Sequence, residues 1–237
     1  MVSIPTRLEQ TRARIAAACQ TAQRPAGSVQ LLAVSKTFGA DAVQQAYDAG
    51  QRAFGENYIQ EALAKIEALA ALRTQLQWHL IGPIQSNKSR PVAENFDWVH
   101  SVDRLKIAQR LSDQRPPQLP PLQVCLQVNI SGEASKSGLQ PAEVLEVARQ
   151  VAALPRLVLR GLMAIPEPAA DEAAQRAPHR ALRELLARLR TELGAQAAQL
   201  DTLSMGMSAD LEAAVAEGAT LVRVGTAIFG VRDVSRP

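Results

Sequence analysis

Apolar residues follow two alternating rhythms along this chain. Short unbroken apolar runs, which read as buried strands, alternate with stretches in which apolar residues recur every three or four positions, which read as amphipathic helices. An opening helix is predicted over 6–23, with Leu8, Ile15 and Cys19 on one face. The run 29–34 predicts a first strand, followed by a helix over 40–49 that stops at Gly50. A short strand within 52–57 leads to a helix over 58–71, and a strand over 78–82 to a helix near 86–94. A strand at 98–102 precedes a helix at 103–113 and a polar, proline-rich surface connection at 114–121. Strand 122–130 then precedes helix 141–153, strand 157–163 a long helix at about 174–193, and strand 201–204 a helix at 208–217. The last strand is expected at 220–225.

Eight strand–helix units in 237 residues predict a single-domain (β/α)8 TIM barrel spanning 1–237. A doubly wound open sheet is the alternative. No composition shift marks a second domain, and the alanine-rich helices reflect good helix formers.

In a barrel the chemistry belongs to the loops after the strands, and phosphate is commonly held after strands seven and eight. Lys36 follows the first strand directly. A partly desolvated lysine there loses its proton more easily, and the neutral amine can attack an aldehyde to form a Schiff base. A strand-end lysine that merely reaches solvent is the competing reading. After strand seven, Ser208 is placed to cap a helix whose free amides attract an anion. After strand eight, Gly225 permits close backbone approach and Thr226 offers a hydroxyl and an amide. Arg223 lies inside an apolar strand and needs a partner. That partner is either a strand-end carboxylate such as Glu56 or a ligand in the barrel mouth. Asn57 can bond a ligand oxygen or cap the following helix. His79, expected near the mouth, is more often a satisfied core histidine than a base. Lys136, in a polar loop after strand five, is a second amine near the mouth.

Charge and composition remove other classes. The 26 basic and 23 acidic residues are intermixed, and aromatics make up only 3% of the chain, so neither a nucleic-acid patch nor a base-stacking platform is expected. No apolar run reaches the roughly 18 residues of a membrane span, and the amino terminus lacks a signal pattern. Cys19 and Cys125 read as small buried hydrophobes, and the histidines have no metal-ligand spacing. A reducing cytosol is the expected location.

Seven ordered stretches resemble a known family: AVSKT at 33–37, FGENY at 54–58, WHLIGPIQSNK at 78–88, SKSGL at 135–139, RGLMAI at 160–165, LSMGMSAD at 203–210 and VRVGTAIFG at 222–230. They are similar to the pyridoxal phosphate (PLP) homeostasis proteins, whose barrel is of the alanine racemase N-terminal type. The resemblance implies PLP held as a Schiff base through Lys36. It implies phosphate held by Ser208, the Met207 backbone, Gly225 and Thr226, with Arg223 facing the pyridine nitrogen and Asn57 lining the ring pocket. It also implies a role in PLP homeostasis without robust catalysis. The family often continues SKT with Lys-Pro, whereas here Phe38-Gly39 follows, so no second lysine stands beside Lys36.

A PLP-dependent amino-acid racemase is the alternative function, and a Schiff-base aldolase or sugar-phosphate isomerase a third. Fold-related racemases carry a second domain that supplies a catalytic tyrosine. Here the chain ends soon after the eighth unit, and the tyrosines, Tyr47 and Tyr58, fall in or beside early helices. An always-charged Arg223 against the ring nitrogen weakens the electron sink that racemisation needs, but racemases also use an arginine, so the second domain counts for more. The expectation is therefore a monomeric PLP carrier, with PLP-dependent apoenzymes as candidate recipients.

Overall fold

The structure is a computed structural model that describes residues 2–132 and 137–230. Lys136 and the start of the SKSGL stretch therefore lie outside the described residues. Eight parallel strands close into a barrel in sequence order. They are β1 (Gln30–Val34), β2 (Ala53–Glu56), β3 (Gln77–Leu80), β4 (Trp98–Val102), β5 (Leu122–Gln127), β6 (Leu157–Met163), β7 (Thr202–Ser204) and β8 (Leu221–Val224). The helices form an outer ring: α1 (Ile4–Thr21), α2 (Ala40–Asp48), α3 (Ile59–Ala68), α4 (Ser89–Asn95), α5 (Leu105–Gln114), α6 (Val144–Ala152), α7 (Glu172–Leu193), α8 (Leu211–Ala216) and α9 (Thr226–Phe229).

Every strand–helix unit predicted from periodicity is present, and the open-sheet alternative is excluded by the β1–β8 pairing, which sets Leu32 beside Arg223. Element ends moved where local hydrogen bonding decided them. The opening helix starts earlier than predicted because Ser3 caps it and a proline follows at its first turn. The predicted strand 122–130 leaves the sheet after Gln127, and Val128 then bridges to Leu139.

Alternation along the strands splits the interior into two zones. One set of positions, including Phe54, Trp78, Leu80, Val99, Leu126, Leu162 and Val222, packs outward against the helices in one continuous apolar core. The inward set is mixed: Leu32, Ala53 and Leu221 form a small apolar cluster, and beside it lies a polar group. His79, His100, Ser204 and Arg223 come from β3, β4, β7 and β8, and bond to one another through the barrel. Part of the barrel filling is thus a hydrogen-bonded network, and its Arg223 end reaches the floor of the mouth.

Candidate functional site

A cavity of about 470 Å³ opens at the carboxyl ends of the strands. Lys36, Asn57, Met207, Ser208, Arg223, Gly225 and Thr226 all line it. Its apolar wall comes from Val34, Phe38, Ile81 and Ile165. A second hollow of about 330 Å³ adjoins it, sharing Asn57, Ile81 and Ile165. Lys36 and Arg223 are the only titratable groups among the described residues of the larger cavity.

Lys36 follows β1 by two residues, in an exposed turn. It makes no hydrogen bond or ion pair with any described residue. Its amine is therefore unengaged by the described residues.

Arg223 sits opposite, almost fully buried. Its Nη1 donates to Ser204 O at 2.6 Å and Ser204 Oγ at 2.8 Å, and its Nη2 donates to Ala164 O at 2.8 Å. The expected alternative, an ion pair with Glu56, is not formed: Glu56 lies on the outer face of β2 and pairs with Lys65. Of the five N–H donors of a guanidinium, three are engaged and two remain. Burial pushes Arg223 down to about 10, which leaves it charged at neutral pH. Because Ser204 Oγ accepts from Arg223, its own proton goes to His100 Nδ1 at 2.7 Å. His100 then carries its proton on Nε2 and donates it to His79 Nδ1 at 2.9 Å. His79 is therefore a core histidine, stacked on Trp98, and not a group of the mouth. Burial pushes His79 down to about 3 and holds His100 well below the ordinary imidazole range, so both rings are neutral.

The loop after β7 corrects the expected helix cap. Helix α8 begins at Leu211 with Asp210 in the cap position, not Ser208. The reason is a tight turn: Asp210 N donates to Met207 O at 3.3 Å, and Asp210 Oδ1 accepts from Met207 N at 2.7 Å. Ser208 and Ala209 become the central residues of that turn, whose amides such a turn leaves unused. Asp210 is held in turn by His179 Nε2 at 2.9 Å. Its carboxyl is opposed by burial, yet the His179 and Met207 bonds hold it below the usual carboxylate range. From outside, Arg14 Nη1 donates to Ser208 O at 2.9 Å while its fork grips Glu212. The carbonyl of Ser208 is thereby tied outward.

After β8, a Cβ on Gly225 would stand 3.0 Å from Val34 O, so this glycine lets the end of β8 pack closely on β1. Thr226 opens the short helix α9, whose first amides have no intrahelical partner. Ser208, Ala209 and Thr226, whose amides have no partner in the turn or the short helix, thus line the cavity together with two hydroxyls.

Asn57 does not cap α3, whose cap residue is Tyr58 and which has no side-chain cap bond. Its Oδ1 is buried without a partner, an acceptor in search of a donor at the cavity wall. Gly82 holds it there, since a Cβ on that residue would fall 2.0 Å from Asn57 O.

Such a cavity suits a flat, aldehyde-bearing ring with an anionic arm. Asn57 with its orphaned Oδ1, Arg223 with two unused donors, and the turn residues Ser208 and Ala209 all line it.

The architecture is that of the alanine racemase N-terminal domain, whose family model matches residues 7–233. The chain belongs to the pyridoxal phosphate homeostasis protein family. It is 62% identical over 237 residues to the pyridoxal phosphate homeostasis protein of Pseudomonas aeruginosa, covering 100% of this chain and 99% of that one. It is 54% identical to that of Escherichia coli K12 over the full length of both. The solved structure of PipY from Synechococcus elongatus with PLP bound superposes with a TM-score of 0.81 at 42% identity, covering 96% of this chain and 100% of PipY. Alanine racemase from Corynebacterium glutamicum shares the fold alone, with a TM-score of 0.63 at 18% identity over 97% of this chain and 62% of that one. Among the described residues no helix is long and apolar enough to cross a membrane.

Proposed function

We propose that this protein binds PLP as a Schiff base through Lys36 and serves intracellular PLP homeostasis without robust catalysis. The observation that carries the reading is the single cavity that gathers a free strand-end amine, a charged guanidinium with two spare donors, and a nest of unused amides and hydroxyls. PLP supplies an aldehyde that condenses with amines and, when its ring nitrogen is protonated, an electron sink.

Lys36 Nζ, unbonded to any described residue and exposed rather than desolvated as expected, is free to reach the aldehyde carbon. Ser208 and Thr226 donate hydroxyls, and the amides of Ser208 and Thr226 and the bare backbone of Gly225 approach the phosphate. The Met207 amide, expected to join them, is spent on Asp210 Oδ1 and holds the turn instead. Arg223 directs an N–H at the ring nitrogen. A guanidinium that stays charged can donate there but cannot accept, so the ring nitrogen is kept unprotonated and the electron sink weak. Asn57 Oδ1 accepts from the ring substituent that can donate. Val34, Phe38, Ile81 and Ile165 exclude water from the ring faces.

Racemisation also needs positioned acid–base groups on both faces of the reacting carbon. The described tyrosines do not reach this cavity. Tyr47 donates to Gln75 on the outer surface, and Tyr58 is 58% exposed beside a different hollow. That supports a carrier, with PLP-dependent apoenzymes as the recipients we propose.

Purified protein should retain a visible chromophore after mixing with PLP and dialysis. The loaded protein, incubated with L-alanine in deuterated water, should place little deuterium at Cα. A colourless dialysed protein contradicts PLP binding. Rapid exchange that disappears in Lys36→Ala contradicts the non-catalytic role and makes the protein a racemase.

A further inference from the structure

Beside the Lys36 turn three charged side chains are packed together, none of them lining the cavity. Glu56 from β2 is 0% exposed, Lys65 from α3 is 4% exposed and Glu61 from α3 is 30% exposed. Lys65 Nζ lies 2.8 Å from Glu56 Oε1 and 2.9 Å from Glu61 Oε1. Buried charges are costly, and well-packed apolar residues of similar volume often serve stability as well or better. A cluster of this kind therefore calls for a reason beyond stability.

The reason lies in what the cluster touches. Lys65 spends its third donor on Ser35 O at 2.7 Å. Ser35 Oγ donates to Glu56 Oε1 at 2.5 Å. Thr37 N donates to Glu61 Oε1 at 2.5 Å. Ser35 and Thr37 are the two neighbours of Lys36. Both are tied to one ammonium and its carboxylates, while Lys36 itself is tied to nothing described. Thr37 has φ 68°, a left-handed conformation that is unfavourable for a β-branched residue. Its bond to Glu61 helps hold the chain in that turn. One residue further on, Phe38 stacks on Phe229 of α9 at 5.3 Å, which fixes the far end of the loop to the β8 side of the cavity.

We infer that Lys65, Glu56 and Glu61 are positioning residues that clamp the peptide on both sides of Lys36 and so aim its amine into the cavity. The inference rests on the proposed Lys36–PLP linkage. The three residues touch no cavity ligand. They act through backbone, which leaves the reactive side chain free to move.

The test compares the wild-type protein, Glu61→Gln, Glu61→Ala and the doubly neutral Glu56→Gln/Lys65→Met, which leaves no lone buried charge to unfold the protein. PLP is mixed with each PLP-free protein. The readouts are the rate at which the chromophore forms, its visible circular dichroism per bound PLP, and hydrogen exchange at the Thr37 amide before PLP is added. Glu61→Ala and the double variant should load about tenfold more slowly, the value of roughly one charge-assisted hydrogen bond. Their dichroism should be weakened and, in Glu61→Ala, Thr37 should exchange faster. Glu61→Gln, which keeps an oxygen for the Thr37 amide, should stay within about threefold of wild type, as expected where geometry outweighs charge. Wild-type rates and dichroism in both Glu61→Ala and the double variant would overturn the clamp while leaving PLP binding intact. A wild-type protein that acquires no chromophore would instead remove the PLP reading. The clamp is then judged on Thr37 exchange, and an unchanged rate in Glu61→Ala overturns it.

Discussion

On the β1 side of the cavity the functional side chain is free and its backbone is held. Lys36 has no described partner, and the Glu56–Lys65–Glu61 cluster grips the residues on either side of it. On the β8 side the functional side chain is itself held. Arg223 makes three hydrogen bonds, and the groups behind it, Ser204, His100 and His79, are neutral. The contrast follows from what each side chain is suited to do. An amine that must shed a proton and form a bond cannot be pinned by its own nitrogen. A guanidinium that only donates gains from being fixed, and neutral partners leave its charge directed at the ligand. Ions support the backbone around Lys36, whereas the groups hydrogen-bonded behind Arg223 are neutral dipoles.

Acid should separate the two walls most strongly. His79 and His100 have folded pKa values below the ordinary 6.5, so their contribution to stability is full above about 6.5 and is lost as pH falls, for His79 towards about 3. A single such imidazole, His79, can cost on the order of 1.4 kcal/mol per pH unit across that window. Glu56 has the opposite sign. Burial raises its folded value above 4.5 despite the neighbouring Lys65, so the folded state takes up this proton first and gains relative stability as pH falls through that raised value. Denaturant titrations from pH 7 to 4 should show a steep loss of stability for the wild type. The loss should be shallower in His79→Gln and steeper in Glu56→Gln. A wild-type curve that is flat over this range would contradict the neutral histidine pair.

A smaller effect should appear in ligand discrimination. Ser208→Ala combined with Thr226→Val removes two hydroxyl donors, each worth about 1.5–3 kcal/mol to a charged phosphate. PLP affinity should fall at least tenfold while pyridoxal affinity changes little. Equal loss for both ligands would move the phosphate elsewhere. The smallest effect belongs to Arg14→Met. The Arg14 and Glu212 side chains are 38% and 57% exposed, so the pair should contribute about 1 kcal/mol or less to stability. Its loss should show mainly as weaker PLP binding, because Ser208 O is no longer tied outward. A variant that lost stability but kept full PLP affinity would show that the tie to Ser208 carries no function.

The strands were legible because eight apolar runs each had to be buried on the side facing the helices, and burial of that kind is written locally. The seven candidate ligand residues were legible for a related reason, since each stands at a strand end and the barrel brings strand ends together. What supports them was not. Lys65 and Glu61 lie on α3 at the spacing of an ordinary solvent-facing pair, and only the packing of that helix against β2 buries them. The Ser208 position was misread because a capping serine and a serine in a turn capped by Asp210 have the same local sequence, LSMGMSAD. Arg223 was correctly read as needing partners, but those partners are backbone carbonyls and a serine from β7 and the end of β6, which no pattern of charge would disclose. His100 and His179, set aside for lacking metal spacing, prove to be structural links behind Arg223 and Asp210.

The account turns on which amine holds the cofactor. Protein loaded with PLP, reduced with borohydride and digested, can be mapped by mass spectrometry. The account predicts that the pyridoxyl group is found on the peptide containing Lys36, and that Lys36→Ala loses it while melting close to the wild-type temperature. A modification found mainly on Lys136, or on any other lysine of the wild-type protein, would contradict it.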